Sequence, residues 1–365
     1  MKIDILSMHR IINYGSFLQA YGLKKTLESL SGSKVEFADY HIEPPIFVKN
    51  TQNHGKIMNF LKENGSILNK VRFHNFRSSF SSNYFSYLGF NEEKNYNPTC
   101  DLLVIGSDEV FNVFQSSSEV GYSLELLGAN NNAKKVVSYA ASFGNTTLQK
   151  IESFGKTDEI KGLLKKFDSI SIRDNNSQKI VEELTGNKPV KNIDPVLLYD
   201  FSKDDLFNKP IQKTQEYVLV YAYSGRISKH ESGLIKKFAK SKGLKVYNIG
   251  GVQDACDKLV TCSPFEIFSY FKHAKYVITD TFHGSIFSML TKSNFVTLVR
   301  KSVGNSYGNE EKLTSLLQTF GLENRIVDIE NFEKTIDSSP NYDGFDSVLA
   351  LERLKSIEYL KRNLK

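Results

Sequence analysis

The sequence predicts an α/β protein built from two parallel-sheet domains facing each other across a cleft. Three observations predict it. Short apolar strand patterns alternate with helical ones from the first residues. The opening reads strand, helix, strand, which implies a parallel pair joined by a right-handed crossover. At 365 residues the chain is long for a single core, and the alternation runs twice along it.

In order, "KIDILS" (2–7) reads as a strand, and "GSFLQAYGLKKTLESL" (15–30) places Phe17, Leu18, Tyr21, Leu27 and Leu30 near helical spacing. "KVEFADY" (34–40) is again strand-like. From about 44 to 98 the pattern breaks into a basic, aromatic insertion of short helices. In it Ile57, Phe60 and Leu61, then Leu68, Val71 and Phe76, are expected to face a core. Strands resume at 101–107, 134–142 and 168–174, the last leading into a helix at 177–186. "PVKNIDPVLLYD" (189–200) closes this half, giving a first domain of 1–205. A second series spans 206–345: a strand at 217–224, a helix at 230–243, a strand at 245–251, a helix near 264–272, a strand and helix within 276–290, and "FVTLV" at 295–299. Residues 346–365 form an amphipathic helix, expected to pack back on the first domain, with Glu352 and Glu358 offsetting its basic residues.

Composition excludes several classes. A formal charge of +6, with no Lys/Arg block, does not mark a nucleic-acid binder, and an anionic small substrate or membrane surface fits it. Three cysteines without a C-x-x-C pair give neither a disulfide framework nor a zinc site. The seven histidines show no H-x-H or H-E-x-x-H spacing, so no metal is expected. No stretch approaches the roughly 20 apolar residues of a membrane span, and "MKIDILSMHR" lacks the apolar core of a signal peptide. The expected compartment is the cytoplasm, with room for peripheral contact at the inner face of the membrane.

In parallel α/β sheets ligands lie beyond the carboxyl ends of the strands. Five polar stretches fall there: "MHRIINYGS" (8–16), "GSDEVFN" (106–112), Arg173-Asp174, "YSGRISKH" (223–230) and "DTFHG" (280–284). Arg173 ends an apolar strand, and its planar fork suits a phosphate or carboxylate. A structural ion pair with Asp174 or Asp194 is the alternative. His283 opens a helix, where free N–H groups and the dipole favour an anion and a neutral imidazole able to act as acid or base. A capping or core histidine is the alternative. Gly284 and Ser285 are expected to let a ligand approach the backbone, and Gly15 and Ser16 to hold another anionic group. No phosphate-binding G-x-x-x-x-G-K-[ST] loop occurs, and Ser107 in "IGSD" lacks a G-x-S-x-G elbow. The polar loop 300–312 is expected to close over substrate.

Taken together, "NYGSFLQAYGL" (13–23), "DLLVIGSDEVFN" (101–112), "SIRDNNSQKIVEELTG" (171–186), "DPVLL" (194–198), "TDTFHGSIFSML" (279–290) and "LLQTFGLENR" (316–325) resemble, in the same order, the polysaccharide pyruvyl transferase family. The resemblance implies two Rossmann-like domains in a GT-B-like arrangement. It also implies transfer of the pyruvyl group of phosphoenolpyruvate onto a sugar as a ketal, with release of phosphate, in surface or exopolysaccharide synthesis and without a cofactor. The acceptor would be a nucleotide sugar, a lipid-linked repeat unit or a polysaccharide. His283 would be the acid and base, and Arg173 the phosphate ligand. Asn13, Gly15, Ser16, Ser107, Asp108, Arg226, Asp280, Thr281, Phe282, Gly284 and Ser285 would line the substrates. Some members carry an arginine where this chain has Thr281; Arg226 or Arg10 would replace it. The competing readings are a nucleotide-sugar glycosyltransferase of the same architecture and a non-catalytic sugar- or anion-binding protein.

Overall fold

The computed structural model describes residues 1–46, 65–90, 93–115, 119–211, 215–300 and 308–365. Ile57, Phe60 and Leu61 lie outside these residues, as does most of the loop 300–312. The chain divides into two units, one of Met1–Lys49, Ser82–Tyr199 and Ser347–Lys365, the other of Asn50–Ser81 and Asp200–Asp346. Six helices concern the argument: α1 (Tyr14–Ser31), α2 (Ile67–Tyr84), α3 (Asn175–Thr185), α4 (Lys229–Ser241), α5 (Phe282–Leu290) and α6 (Phe345–Asn363).

The first unit holds β1 (Ile3–Leu6), β2 (Val35–Ala38), β3 (Leu102–Asp108), β4 (Lys135–Ala141), β5 (Ser171–Ile172) and β6 (Val190–Lys191). They form one sheet in the order β2-β1-β3-β4-β5-β6, with every pairing parallel. Covered on both faces, such strands read as continuous apolar runs; β1 is buried at all four positions. Between β1 and β3 the strand order reverses, the place where α/β sheets bind ligands. Helix α1 starts where the Asn13 side chain accepts the Ser16 N–H and ends at Gly32, whose φ of 66° closes it in the left-handed conformation that glycine adopts freely. The strand expected over 168–174 is regular only at Ser171–Ile172, because serine side chains enter the ladder there. Ser171 Oγ donates to Asn192 Oδ1 (2.6 Å), and Ser138 Oγ to Ser171 O (2.9 Å). On α6, Tyr359 donates its hydroxyl to Ser138 O (2.8 Å) and Arg353 Nε donates to Leu197 O (2.7 Å).

The second unit repeats the architecture with β7 (Tyr217–Tyr221), β8 (Lys245–Ile249), β9 (Lys258–Leu259), β10 (Tyr276–Thr279), β11 (Phe295–Leu298) and β12 (Ile326–Val327). Their order is β12-β11-β10-β7-β8-β9, again parallel throughout. Its reversal lies between β7 and β10. Helix α2 corrects one expectation. Its inward stripe runs through Lys70, Phe73, Phe76 and Phe80 at three- and four-residue spacing. Leu68 and Val71 lie off that stripe and stand 60% and 44% exposed. No helix among the described residues is long and apolar enough to cross a membrane.

Candidate active site

At the reversal of the first sheet, side chains from β1, α1 and β3 are tied together. Gln19, on the buried side of α1, donates to Ser7 Oγ (3.0 Å) and accepts the Ser107 N–H (3.2 Å). Ser107 is wholly buried, its hydroxyl given to Ala140 O (2.9 Å) and lying 3.4 Å from Asp194 Oδ2. Asn13 orients Ser16, donating from Nδ2 to its Oγ (2.9 Å), and Ser16 Oγ lies 3.5 Å from Asp108 Oδ2. Gly15 is buried in the first turn. That helix start, expected to take a ligand's anion, therefore faces a carboxylate of the chain itself.

Arg173 sits beneath this carboxylate in the network. Its Nη1 donates to Asp194 Oδ2 (2.7 Å) and its Nη2 to Asp108 Oδ1 (3.0 Å). Burial alone would weaken the guanidinium's hold on its proton, but Asp108, Asp194, Glu109 and Asp174 outweigh it and push the pKa up. Of the two ion-pair partners considered, the structure selects Asp194. Asp174 instead caps α3, accepting the Ser177 N–H (2.8 Å) and the Ser142 hydroxyl (2.6 Å). Asp108 is the part of the cluster that reaches water, its side chain 15% exposed. One guanidinium stands against two carboxylates, so the group is suited to hydroxyl donors better than to an anion.

In the second unit, β10 ends at Thr279 and Thr281 caps α5, its Oγ1 accepting the Gly284 N–H (2.9 Å). His283 is the second residue of the helix. Its ring is buried, stacked on Phe287 (centroids 6.2 Å apart, planes at 29°) and edge-on to Phe282 (5.6 Å, 89°). Gly284 and Ser285 depart from expectation. A Cβ on Gly284 would lie 2.1 Å from Thr279 Oγ1 and 2.7 Å from Tyr221 Cδ1, so the glycine lets α5 close on its own sheet. Ser285 spends its hydroxyl inside, on Thr281 O (3.1 Å) and Thr297 Oγ1 (2.9 Å).

Asp280 follows β10 and is wholly buried. Arg226 Nε lies 2.9 Å from its Oδ2 and Arg300 Nε 3.5 Å from the same oxygen. Its backbone oxygen accepts from Asn309 Nδ2 (2.6 Å) and Arg226 Nη2 (3.3 Å). Burial raises this carboxyl's pKa against the pull of both arginines. Arg300 also pairs with Glu231, which closes a capping box with Ser228 at the start of α4. Arg10, the other stand-in suggested for position 281, is bound to Asp39 (3.0 Å) and Glu93 O (2.8 Å). Sequence reasoning missed Arg300, Asn309 and Gln19. Arg300 follows a strand as Arg173 and Arg226 do, so the same rule would have found it; Gln19 carries no such signal inside a helix.

The family model described as polysaccharide pyruvyl transferase matches residues 13–302. No curated protein matches the chain. Solved structures of similar fold include a mutant O-GlcNAc transferase of Thermobaculum terrenum, 12% identical with a TM-score of 0.43. The match covers 100% of this chain and 64% of that one, so the chain spans less than two thirds of its length. MnaA of S. aureus, solved with UDP, is 10% identical over 98% of this chain and 90% of its own, with a TM-score of 0.48. The glycosyltransferase SsfS6 of Streptomyces sp. SF2575, complexed with thymidine diphosphate, is 12% identical over 99% of each chain, with a TM-score of 0.44. These likenesses are remote, and no substrate is drawn from them. The family match takes in Asp108, Arg173, Asp280 and His283, and on it the chain belongs to the polysaccharide pyruvyl transferase family.

Proposed function

We propose that the chain moves the pyruvyl group of phosphoenolpyruvate onto two hydroxyls of one sugar acceptor, forming a ketal and releasing phosphate, at the cytoplasmic face of the membrane in surface or exopolysaccharide synthesis. The observation that carries this reading is His283 in the first turn of α5, three residues after a strand-end carboxylate that binds two arginines. The chemistry needs a positioned acid. His283 protonates the methylene carbon of the donor, which becomes a methyl group, and positive charge develops at the neighbouring carbon. One sugar hydroxyl adds there, the bond to the phosphate oxygen breaks, and the second hydroxyl closes the ring. Of the two hydroxyl protons, one balances the proton given to carbon and the other leaves with phosphate.

Asp108 is assigned to the acceptor, its carboxylate taking a hydroxyl's hydrogen bond. Arg173, read from sequence as the phosphate ligand, is assigned to hold Asp108, since Asp194 and Asp108 occupy both of its terminal nitrogens. The test is incubation with phosphoenolpyruvate and a panel of nucleotide-linked, lipid-linked and polymeric sugars, following phosphate and the product mass. Stabilisation by nucleoside diphosphates alone, with no phosphate released from phosphoenolpyruvate, would replace this reading with nucleotide-sugar transfer.

A further inference from the structure

Two arginines meet at the carboxyl end of the second sheet, held against two carboxylates, Asp280 and Glu231. Arg226 comes from the turn after β7 and Arg300 from the chain after β11, so they approach from either side of β10. Both bind the same oxygen of Asp280, and Arg300 Nη2 also donates to Arg226 O (3.1 Å), which fixes their spacing. Glu231 grips the far end of Arg300, and Tyr223 lies under Arg226, its ring centroid 5.7 Å from the guanidinium carbon. Asn309 ties the backbone of Arg300 to that of Asp280, accepting from Arg300 N (2.7 Å) and donating to Asp280 O (2.6 Å). Despite these braces the arginine side chains remain 24% and 25% exposed, while Asp280 is sealed. Two guanidinium forks held together this firmly, with their accessible surface at a sheet reversal, are arranged to donate to an external anion.

We propose that Arg226 and Arg300 form a paired-guanidinium site for a phosphoryl dianion, with Asp280 and Glu231 fixing the fork. The site deepens the pyruvyl-transfer reading and rests on it only for the anion's identity, the phosphate of phosphoenolpyruvate. Two guanidiniums offer a phosphate several charge-assisted bonds, and removing one donor typically weakens binding by about tenfold or more.

Calorimetric titration of the full chain with phosphoenolpyruvate and with inorganic phosphate tests this, using Arg226→Gln and Arg300→Gln. Each substitution is expected to weaken both anions by about tenfold or more. Because Arg300→Gln severs several internal bonds, the unaltered chain provides a second readout. Phenylglyoxal should modify Arg226 and Arg300, and phosphoenolpyruvate or phosphate should protect both, as mapped by mass spectrometry. Unchanged affinities together with no protection would overturn the pair while leaving the donor reading standing. Arginine-dependent phosphate binding without turnover of phosphoenolpyruvate on any sugar would support the pair and remove the donor reading. Binding of neither anion to the unaltered chain would overturn the pair.

Discussion

Arg173 shows how one side chain's surroundings decide its role. A guanidinium expected to hold phosphate is enclosed with Asp108 and Asp194. Its removal leaves two carboxylates without a counter-ion, which costs about 3–5 kcal/mol. Arg173→Met should therefore lower unfolding free energy in urea by about that amount, whereas loss of a surface ligand residue would cost less than about 1 kcal/mol. His283→Ala should act oppositely: phosphate release from phosphoenolpyruvate falls by about a hundredfold or more, and the melting temperature stays within a few degrees. Asp4 gives a pH test. It is wholly buried in β1, with the Cys100 thiol beside its carboxyl group. Burial raises its pKa, and the neighbouring Cys100 thiol is itself pushed up to about 12 by burial and by Asp4. A raised carboxyl contributes stability in full below its unfolded value of about 4, and loses it as pH rises through the folded value. Asp4→Asn should therefore be more stable than the parent at pH 7, by about 1 kcal/mol or more, and the gain should vanish near pH 3.

At the scale of elements, α5 depends on two small residues. Thr281→Ala removes its cap and should cost about 1 kcal/mol in denaturant titration. Gly284→Ala places a carbon among Thr279, Thr281 and Tyr221, all within 2.7 Å. It should shift the helix start and lower turnover and stability together. The strands and helices were largely legible, because a parallel sheet covered on both faces writes itself as unbroken apolar runs, as in β3 and β7. Where side chains replace that signal, as with Ser171 of β5 and Ser138 beside it, the regular strand is short. On α2, apolar residues point both inward and outward, so the exposed Leu68 and Val71 could not be told from the inward stripe by type alone.

For the whole molecule, each unit brings its polar loops to the carboxyl ends of its own sheet, beside that sheet's reversal. Their position was legible as polar residues directly after apolar strands, which picked out Asp108, Arg173, Arg226, Asp280 and His283. Their pairing was not, because which carboxylate meets which guanidinium depends on strand order: β10 neighbours β7 across more than fifty intervening residues. The most direct measurement is release of phosphate from phosphoenolpyruvate by the full chain in the presence of a sugar acceptor. Phosphate and a pyruvyl ketal should appear in equal amounts, both lost in His283→Ala. Full activity in that variant, or no phosphate with any class of acceptor, would contradict it.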